Sequence, residues 1–387
     1  MKLLLVSSEF PPGPGGIGTH AYQLAKNFSE LGQGVQVLCS QDYATESEIL
    51  DFNNSQHFTI YRMTNGKSKL SKGVTRFKLM NDSLRRFKPD IVLSSGSWPI
   101  WLGALGKLHN RKVAWLVVGH GTEFGQTRGF TALFTCFTAN KADGIICVSE
   151  FTKRAVRDLG IDKPPIEVIH NGADPQQYFM LNSDQVLQIR ADLGVEGKFV
   201  LLTVGNVSAR KGQEVVIRAL PAILREAPHV VYWMAGLPNQ QLELERLSKE
   251  LGVEGHIRFF GRTNPQTLLE LYNACDLFVM TSRQLENGDF EGYGIAVIEA
   301  ALCGKAAVVS DNSGLSEAVN NDKTGLLVGQ NDPQTTAEAI INLVNDPERL
   351  EKFSKEAQKK AYESQTWDKV AASYLYIIRK HVKSSRV

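Results

Sequence analysis

The sequence has few cysteines, and none of them are paired in a motif. Five are dispersed over 387 residues, and no two form a C-x-x-C pair: Cys39, Cys136, Cys147, Cys275 and Cys303. A disulfide framework or a structural zinc site uses an even or closely spaced set, so the pattern argues against both. A reducing, cytoplasmic location fits this usage.

Long apolar runs and a strong excess of one charge are also missing. No stretch approaches the length of a transmembrane helix. The apolar run Leu3–Val6 is too short for a signal peptide and indicates a buried first strand. A formal net charge of +2 predicts no nucleic-acid partner. If the protein meets a membrane, we expect it to do so from the surface, on the inner face.

Short apolar runs alternate with amphipathic helical patterns along the chain, which predicts an α/β fold with doubly wound parallel sheets. The pattern pauses in the polar stretch after Asp174 and then restarts at Phe199. We therefore expect a first domain over 1–175, a linker over 176–195, a second domain over 196–365, and a C-terminal helix over 366–387 that crosses back to the first domain. Ligands of such sheets lie beyond the carboxyl ends of the strands.

The first glycine-rich loop matches G-x-G-x-x-G at Gly13, Gly15 and Gly18, with Asp42 past the second strand. A dinucleotide site needs its first glycine directly after the strand. Here the segment 9–12 intervenes, and its prolines stiffen the loop. We interpret Gly15 and Gly16 as amide donors to a phosphate at a helix N-terminus. An NAD site and an ordinary turn are the alternatives.

The segment 290–300, with sequence FEGYGIAVIEA, is the most informative stretch. Gly292 and Gly294 allow a ligand to approach the backbone, and a helix that starts near Ile295 offers unpaired N–H groups to an anion. Glu291 lies just outside that helix. Glu299 lies on it among apolar residues, where a carboxylate requires partners. The alternative is two solvated acids.

Two further post-strand loops carry charged or titratable groups. Arg210 and Lys211 follow a strand beside Gly212, and such a pair of cations suits a diphosphate. A solvated turn is the alternative reading. His120 lies between two glycines at the end of another strand. A lone histidine is more often structural than functional.

Together these stretches resemble glycosyltransferase family four, whose fold is GT-B, two Rossmann-like domains that face each other across a cleft. The resemblance covers nearly the whole chain and includes the E-x₇-E pair Glu291 and Glu299. The context from Thr281 to Gly292 is most similar to bacterial mannosyltransferases acting on phosphatidylinositol mannosides. The implied activity is retaining transfer of a hexose from a GDP- or UDP-sugar to a glycan, lipid or lipid-linked acceptor.

The resemblance also implies roles for single residues. Lys211 would hold the donor diphosphate, Glu291 the transferred hexose and Glu299 the ribose. Backbone amides of the segment 292–295, which includes Tyr293, would contact sugar and phosphate. Gly16 would close over the phosphate, His120 would face the sugar, and backbone near Arg262 would contact the base.

One departure from the family pattern concerns the phosphate. The family usually has Arg where Asn206 stands, and Arg210 is the candidate substitute. No D-x-D motif stands at a strand end, so we expect no metal and no cofactor, with cations and helix dipoles stabilising the leaving group. The resemblance implies a front-face mechanism in which the departing phosphate accepts the acceptor's proton. A nucleotide-sugar epimerase, an NAD oxidoreductase and a non-catalytic binding module are the alternatives.

The segment 67–88 is strongly basic. Eight Lys or Arg residues stand against the single acid Asp82, with apolar residues including Phe77, Leu84 and Phe87 interleaved. This composition predicts weak, salt-sensitive binding to an anionic membrane surface. The alternative is that the apolar face packs on the first domain and the cations are solvated.

Overall fold

The computed structural model describes residues 1–40, 44–63, 69–109, 112–125 and 129–384. Asp42 and Lys67 therefore lie outside the described residues. The chain divides into two compact units. The first unit is Met1–Asn171 together with the C-terminal segment from Trp367, and the second is Gly172–Thr366.

The first unit contains a parallel sheet of seven strands in the order β3-β2-β1-β4-β5-β6-β7. The strands are β1 Lys2–Ser7, β2 Gly34–Ser40, β3 Thr59–Met63, β4 Ile91–Ser95, β5 Ala114–Gly119, β6 Gly144–Cys147 and β7 Ile166–Val168. The helices between them are α1 Gly16–Glu30, α2 Glu46–Asn54, α3 Lys69–Arg86, α4 Ser97–His109, α5 Thr122–Gly125, α6 Gly129–Ala139 and α7 Glu150–Asp158.

The second unit contains a parallel sheet of six strands in the order β10-β9-β8-β11-β12-β13. Its strands are β8 Phe199–Val204, β9 Val230–Ala235, β10 Ile257–Gly261, β11 Leu277–Met280, β12 Ala307–Ser310 and β13 Gly325–Val328. Its helices are α8 Ser183–Asp192, α9 Gln213–Glu226, α10 Gln241–Glu250, α11 Pro265–Ala274, α12 Ile295–Leu302, α13 Leu315–Ala318, α14 Pro333–Val344 and α15 Pro347–Ser364.

The last helix, α16 at Trp367–Ser384, belongs to the first unit. It packs on α1, and Trp367 and Tyr374 are buried there. The first unit is thus built from both ends of the chain.

The segment 176–195 holds helix α8, which packs within the second unit. Asn182 caps α8 by accepting the backbone N–H of Gln185. Arg190 Nη1 forms an ion pair with Asp276 Oδ2 at 3.1 Å and donates a hydrogen bond to the carbonyl of Ala274. These contacts tie the segment to the loop before β11.

The strands of both sheets are mostly buried on both faces, as parallel sheets covered by helices require. Strands at the sheet edges are less buried, with exposed residues that include Tyr61 in β3, Glu167 in β7 and Arg258 in β10. The loops that follow the strands lie at the carboxyl ends of the strands in each sheet. Many of the candidate residues lie in these loops.

Candidate functional site

Each sheet has one point at which the strand order reverses. In the second unit this switch point lies between β8 and β11, and in the first unit between β1 and β4. Ligands of doubly wound sheets bind outside the carboxyl ends of the strands at this point. The loop after β8 carries Arg210 and Lys211, and the loop after β11 carries Glu291, so the strongest candidates of the second unit meet there.

The helices that begin at the switch points start without a side-chain cap. Helices α1, α9 and α12 have Gly15, Gly212 and Gly294 at the N-cap, and none of the three receives a side-chain hydrogen bond there. By contrast, α11, α14 and α15 are capped by Asn or Asp side chains. Open N–H groups at α1, α9 and α12 are suited to anionic ligand groups.

Glu291 is the centre of a charge cluster in the second unit. Its Oε2 lies 2.7 Å from Lys211 Nζ and 2.5 Å from Arg210 Nη1. Arg210 Nε lies 3.3 Å from Asp289 Oδ2. All four side chains are largely buried. The cluster brings together two cations from the β8 loop and two carboxylates from the β11 loop.

Electrostatics within the cluster fix its charge state. Burial raises the pKa of Glu291, but the adjacent Lys211 and Arg210 outweigh it and lower that pKa to about 2. Burial lowers the pKa of Lys211, and the Glu291 carboxylate opposes that shift. Glu291 is therefore ionised at neutral pH.

Backbone geometry makes room for these groups. Gly205 has a φ of +144°, and a Cβ there would lie 3.1 Å from Lys211 Cε, so the lysine stem runs directly over this glycine. Gly294 has a φ of +87°, which lets the chain turn from the Glu291 loop into α12. The backbone N–H of Gly314 donates to the Glu291 carbonyl at 3.0 Å and fixes the loop.

Glu299 has the partners that its position among apolar residues requires. The Tyr272 hydroxyl donates to Glu299 Oε2 at 2.6 Å, and Tyr178 supplies a further hydrogen bond. Burial raises the pKa of Glu299 to about 7, although Tyr272 and the charge of Lys211 act in the opposite direction. Glu299 thus titrates near neutral pH. The two tyrosines were missed in the sequence because they come from distant segments.

The other residues expected at the donor differ in how far they are exposed to solvent. Asn206 is exposed, and its carbonyl accepts a hydrogen bond from Gln213. Arg262 is exposed after β10, at the outer end of the sheet. The Tyr293 side chain points inward, where its hydroxyl accepts a 2.6 Å hydrogen bond from Gln365, so only its backbone faces the loop. Gly292 is buried and Ile295 opens α12.

In the first unit, His120 lies in a polar cluster at the end of β5. Ser95 Oγ lies 2.7 Å from His120 Nε2, and the His120 backbone N–H donates to Glu123 Oε1 at 2.6 Å. Burial lowers the pKa of His120 to about 3 and raises that of Glu123 to about 7. His120 is therefore neutral at pH 7.

A second buried histidine contacts His120. The His20 ring on α1 meets the His120 ring edge-on at 4.7 Å, and His20 Nε2 lies 3.1 Å from the Tyr374 hydroxyl of α16. Burial, and then the neighbouring His120, hold the pKa of His20 well below its usual range. Nothing in the sequence pattern marks His20, because the neighbours His120 and Tyr374 lie 100 and 354 residues away along the chain.

Gly15 and Gly16 occupy the start of α1 as expected, but in different surroundings. Gly15 has a φ of +142° and lies against the Glu9 side chain. A Cβ on Gly16 would meet no heavy atom within 4 Å. Gly16 therefore faces open space in the first unit. Within the part of the chain that the structure describes, no group of three or more His, Cys, Asp or Glu side chains is placed to hold a metal.

Two family models match the chain and between them span most of it. The model for glycosyltransferase family 4 matches residues 14–177, and the model for glycosyl transferases group 1 matches residues 186–360. The chain belongs to glycosyltransferase family four. Both models end or begin close to the division between the two units.

Relatives of this glycosyltransferase span nearly its full length. It is 26% identical to an uncharacterised glycosyltransferase of Methanocaldococcus jannaschii, with 96% of each chain covered. It is 27% identical to a GDP-mannose-dependent alpha-(1-6)-phosphatidylinositol monomannoside mannosyltransferase of Mycolicibacterium smegmatis, with 90% of each covered. The expected family is confirmed, and these relatives give the epimerase alternative no support.

Solved structures establish the fold of this glycosyltransferase. Anabaena HepE, in a crystal structure with UDP and glucose, superposes with a TM-score of 0.83 over 98% of this chain and 100% of that chain, at 22% identity. The GT-B class expected from the sequence is confirmed, with one parallel sheet in each unit.

Proposed function

We propose that this glycosyltransferase moves a hexose, of mannose or glucose type, from a GDP- or UDP-sugar with retention of configuration and without a metal ion. The observation that carries the proposal is the contact of Glu291 with Lys211 and Arg210 at the switch point of the second sheet. Both nucleotide classes have support among similar proteins, because one relative is GDP-mannose-dependent and one structural neighbour was crystallised with UDP-glucose.

The charge cluster suits departure of a nucleoside diphosphate. Negative charge grows on the β-phosphate as the bond to the sugar breaks, and cations held in place beforehand stabilise it without reorganisation. Lys211 and Arg210 are such cations, held by Glu291 and Asp289. Open amides at the N-terminus of α12 add to the same effect. Glu291 then positions the hexose through its hydroxyls, and Glu299 takes the ribose.

The first unit supplies the groups that the family resemblance implies. His120 faces the sugar, and its low pKa leaves it neutral, able to donate or accept one hydrogen bond. Gly15 and Gly16 offer amides to phosphate at the start of α1. In the front-face step, the acceptor oxygen bonds to the anomeric carbon, the bond to the phosphate oxygen breaks, and that oxygen takes the acceptor's proton.

The acceptor is a glycan, a lipid or a lipid-linked saccharide, and the last two require contact with a membrane. None of the described helices is long and apolar enough to cross a bilayer. On α3, Leu84 packs in the core of the first unit, whereas Phe77 is exposed. The expected membrane face of the segment 67–88 is thus divided between core and surface.

The test is a donor panel read by NMR. The protein is incubated with GDP-mannose, UDP-glucose and related donors, and the anomeric configuration of the released or transferred sugar is measured at early times. We expect the α-anomer from an α-linked donor, and full activity in EDTA. Inversion at the anomeric carbon would refute retention. Activity lost in EDTA and restored by Mg²⁺ or Mn²⁺ would refute metal independence.

A further inference from the structure

Helix α6 of the first unit carries its large apolar side chains on the outside. Three of them are 81%, 71% and 59% exposed: Phe130, Leu133 and Phe137. The buried side of the helix is formed by Thr135, Thr138 and Ala139. A surface helix of a globular protein shows the reverse arrangement. The helix also contains no charged residue.

The outer surface of α6 continues onto its neighbour α4. Leu105 and Leu108 of α4 are exposed as well. Trp101 on α4 donates a 3.0 Å hydrogen bond to Thr135 Oγ1, which fixes α6 against α4. The Phe130 and Phe134 rings stack at 6.1 Å. We call this surface the α6 face, formed by Phe130, Leu133, Phe134, Phe137, Leu105 and Leu108. A patch of this kind marks an interaction site.

Cations lie beside the α6 face on the same side of the sheet. The chain passes from β3 to β4, β5 and β6 in one direction across the sheet, so right-handed crossovers put α3, α4 and α6 on one side. Helix α4 packs against both α3 and α6. Lys141, just beyond α6, lies 3.8 Å from the centre of the Phe137 ring.

The charged residues of these three helices are predominantly basic. Helix α3 has six Lys or Arg residues, α4 has Lys107, and α6 has none. Asp82 is the single acid in the three. The α3 residues Lys78, Arg85 and Arg86 are exposed. An occupant of the α6 face must therefore offer an apolar region next to negative charge.

We propose that the α6 face docks on the surface of an anionic lipid bilayer. Aromatic and leucine side chains enter the boundary between headgroups and acyl chains, where such residues concentrate. The α3 cations are attracted to the anionic headgroups, and each contributes about fivefold to the partition coefficient. A bilayer presents both features in one surface.

A second copy of the chain fits the α6 face poorly. A two-fold interface places the same surface on both partners. Two copies of α3 would then bring cations against cations with only Asp82 of each to compensate. Like charges across an interface disfavour the complex. The inference uses no residue of the charge cluster around Glu291, so it stands apart from the proposed donor chemistry while favouring a lipid-borne acceptor.

Vesicle flotation tests the proposal with the full-length protein. The vesicles contain phosphatidylcholine alone or phosphatidylcholine with phosphatidylglycerol. We expect flotation with the anionic vesicles at low salt, little with the neutral ones, and loss of binding in high salt. The variant Phe130→Ser/Leu133→Ser/Phe137→Ser should reduce the partition coefficient at least about tenfold, because three apolar side chains no longer enter the bilayer.

Matched variants distinguish the contribution of the apolar side chains to vesicle binding from the contribution of the cations. Leu187→Ser/Leu242→Ser changes two leucines of the second unit that are 64% and 73% exposed, and should leave flotation unchanged. Lys78→Gln/Arg85→Gln/Arg86→Gln should remove the preference for anionic vesicles. Thermal melting of each variant checks folding, and donor hydrolysis without vesicles should match wild type.

Besides a failure of the wild-type protein to float, three outcomes overturn the proposal. One is equal recovery on neutral and anionic vesicles, and another is unchanged flotation of the triple serine variant. The third is a dimer in light scattering that the triple serine variant dissociates, since the α6 face would then bind a second copy. Failure of flotation with normal donor hydrolysis would refute docking alone, whereas absent hydrolysis with normal flotation would refute the donor chemistry alone.

Discussion

At the scale of single residues, substitutions of Lys211 and Glu291 test whether the charge cluster takes part in sugar transfer. Under the proposed function, Lys211→Ala removes a cation that stabilises the leaving phosphate. Glu291→Ala removes the carboxylate that contacts both Lys211 and Arg210 and that we propose positions the hexose. Each change should lower kcat about a hundredfold or more, which is the scale of losing one preorganised charge contact. Glu299→Ala should raise the donor Kd more than it lowers kcat. Turnover and donor titration measure these effects.

A matched control for these changes is Lys355→Ala on α15, which breaks the exposed ion pair with Glu351. Exposed pairs contribute little, so its kcat and stability should equal those of wild type. Wild-type turnover in Lys211→Ala or Glu291→Ala would show that the chemistry lies elsewhere.

Substitutions at Asn206 and Arg210 test whether Arg210 takes the place of the arginine that the family usually has at position 206. Asn206 is exposed, so Asn206→Arg should leave the melting temperature unchanged and tighten donor binding. Arg210→Ala should weaken donor binding and turnover, because the guanidinium is paired with Glu291 and Asp289 beside Lys211. Calorimetric titration with nucleotide sugars measures both. Unchanged Kd and kcat in Arg210→Ala would show that Arg210 does not take the place of the family arginine.

Glu299 gives the protein a pH dependence near neutrality. Its folded pKa of about 7 lies above the usual 4.5, so between these values the folded protein holds a proton that the unfolded chain has lost. Stability from this group is therefore complete below pH 4.5 and falls as pH rises to about 7. The pKa of Glu123 is raised in the same way, so this group also makes the unfolding free energy fall as pH rises. Glu299→Gln should flatten the decline in unfolding free energy, measured in urea across this range, but leave the part due to Glu123.

Single residues mark the limit of prediction from the sequence. Arg210, Lys211, Glu291 and Glu299 are recognisable because each lies in a loop or helix that follows a strand. Tyr272 is not, because it reaches Glu299 from another helix. The sequence also cannot distinguish the backbone of Tyr293, which faces the loop, from its side chain, which is buried against Gln365.

At the scale of elements, the alternation of apolar runs with amphipathic patterns predicted parallel sheets in both units, because buried parallel strands are continuously hydrophobic. Strand β3 was not predicted, because its sequence alternates between polar and apolar residues and because Thr59 and Tyr61 are exposed. Helix α6 was not predicted either, and its apolar sequence is typical of a buried helix. The exposure of Phe130 and the packing of Trp101 on Thr135 show which side of α6 faces outward.

The start of α1 tests whether the glycine loop serves a ligand or only the fold. A Cβ on Gly16 meets nothing in the protein, so Gly16→Ala should melt like wild type and yet weaken donor binding if phosphate approaches this amide closely. Gly15→Ala should destabilise the protein, because φ is +142° and Glu9 occupies the space. Thermal melting and donor titration separate the two effects. Unchanged donor binding in Gly16→Ala would make this loop a structural turn.

At the scale of the whole molecule, the two units differ in how the chain builds them. The second unit is one continuous segment, Gly172–Thr366, whereas the first needs α16 from the far end. Trp367, Tyr374 and Ile378 of α16 are buried at 2%, 0% and 0% exposure. Burial of each such side chain contributes on the order of 2 kcal/mol, so α16 supplies a large part of a stability that is typically only 5–15 kcal/mol.

We therefore expect the two units to behave differently as fragments. Residues 172–366 alone should fold cooperatively and bind nucleotide, because the Glu291 cluster and Glu299 with its tyrosines lie within that segment. Residues 1–171 alone should not give a cooperative unfolding transition, since the α1 surface around His20 would lose its cover. Adding α16 to this fragment through a flexible linker should restore the transition. Circular dichroism during urea unfolding measures all three fragments. Equal stability of residues 1–171 with and without α16 would mean that the helix covers the first unit without stabilising it.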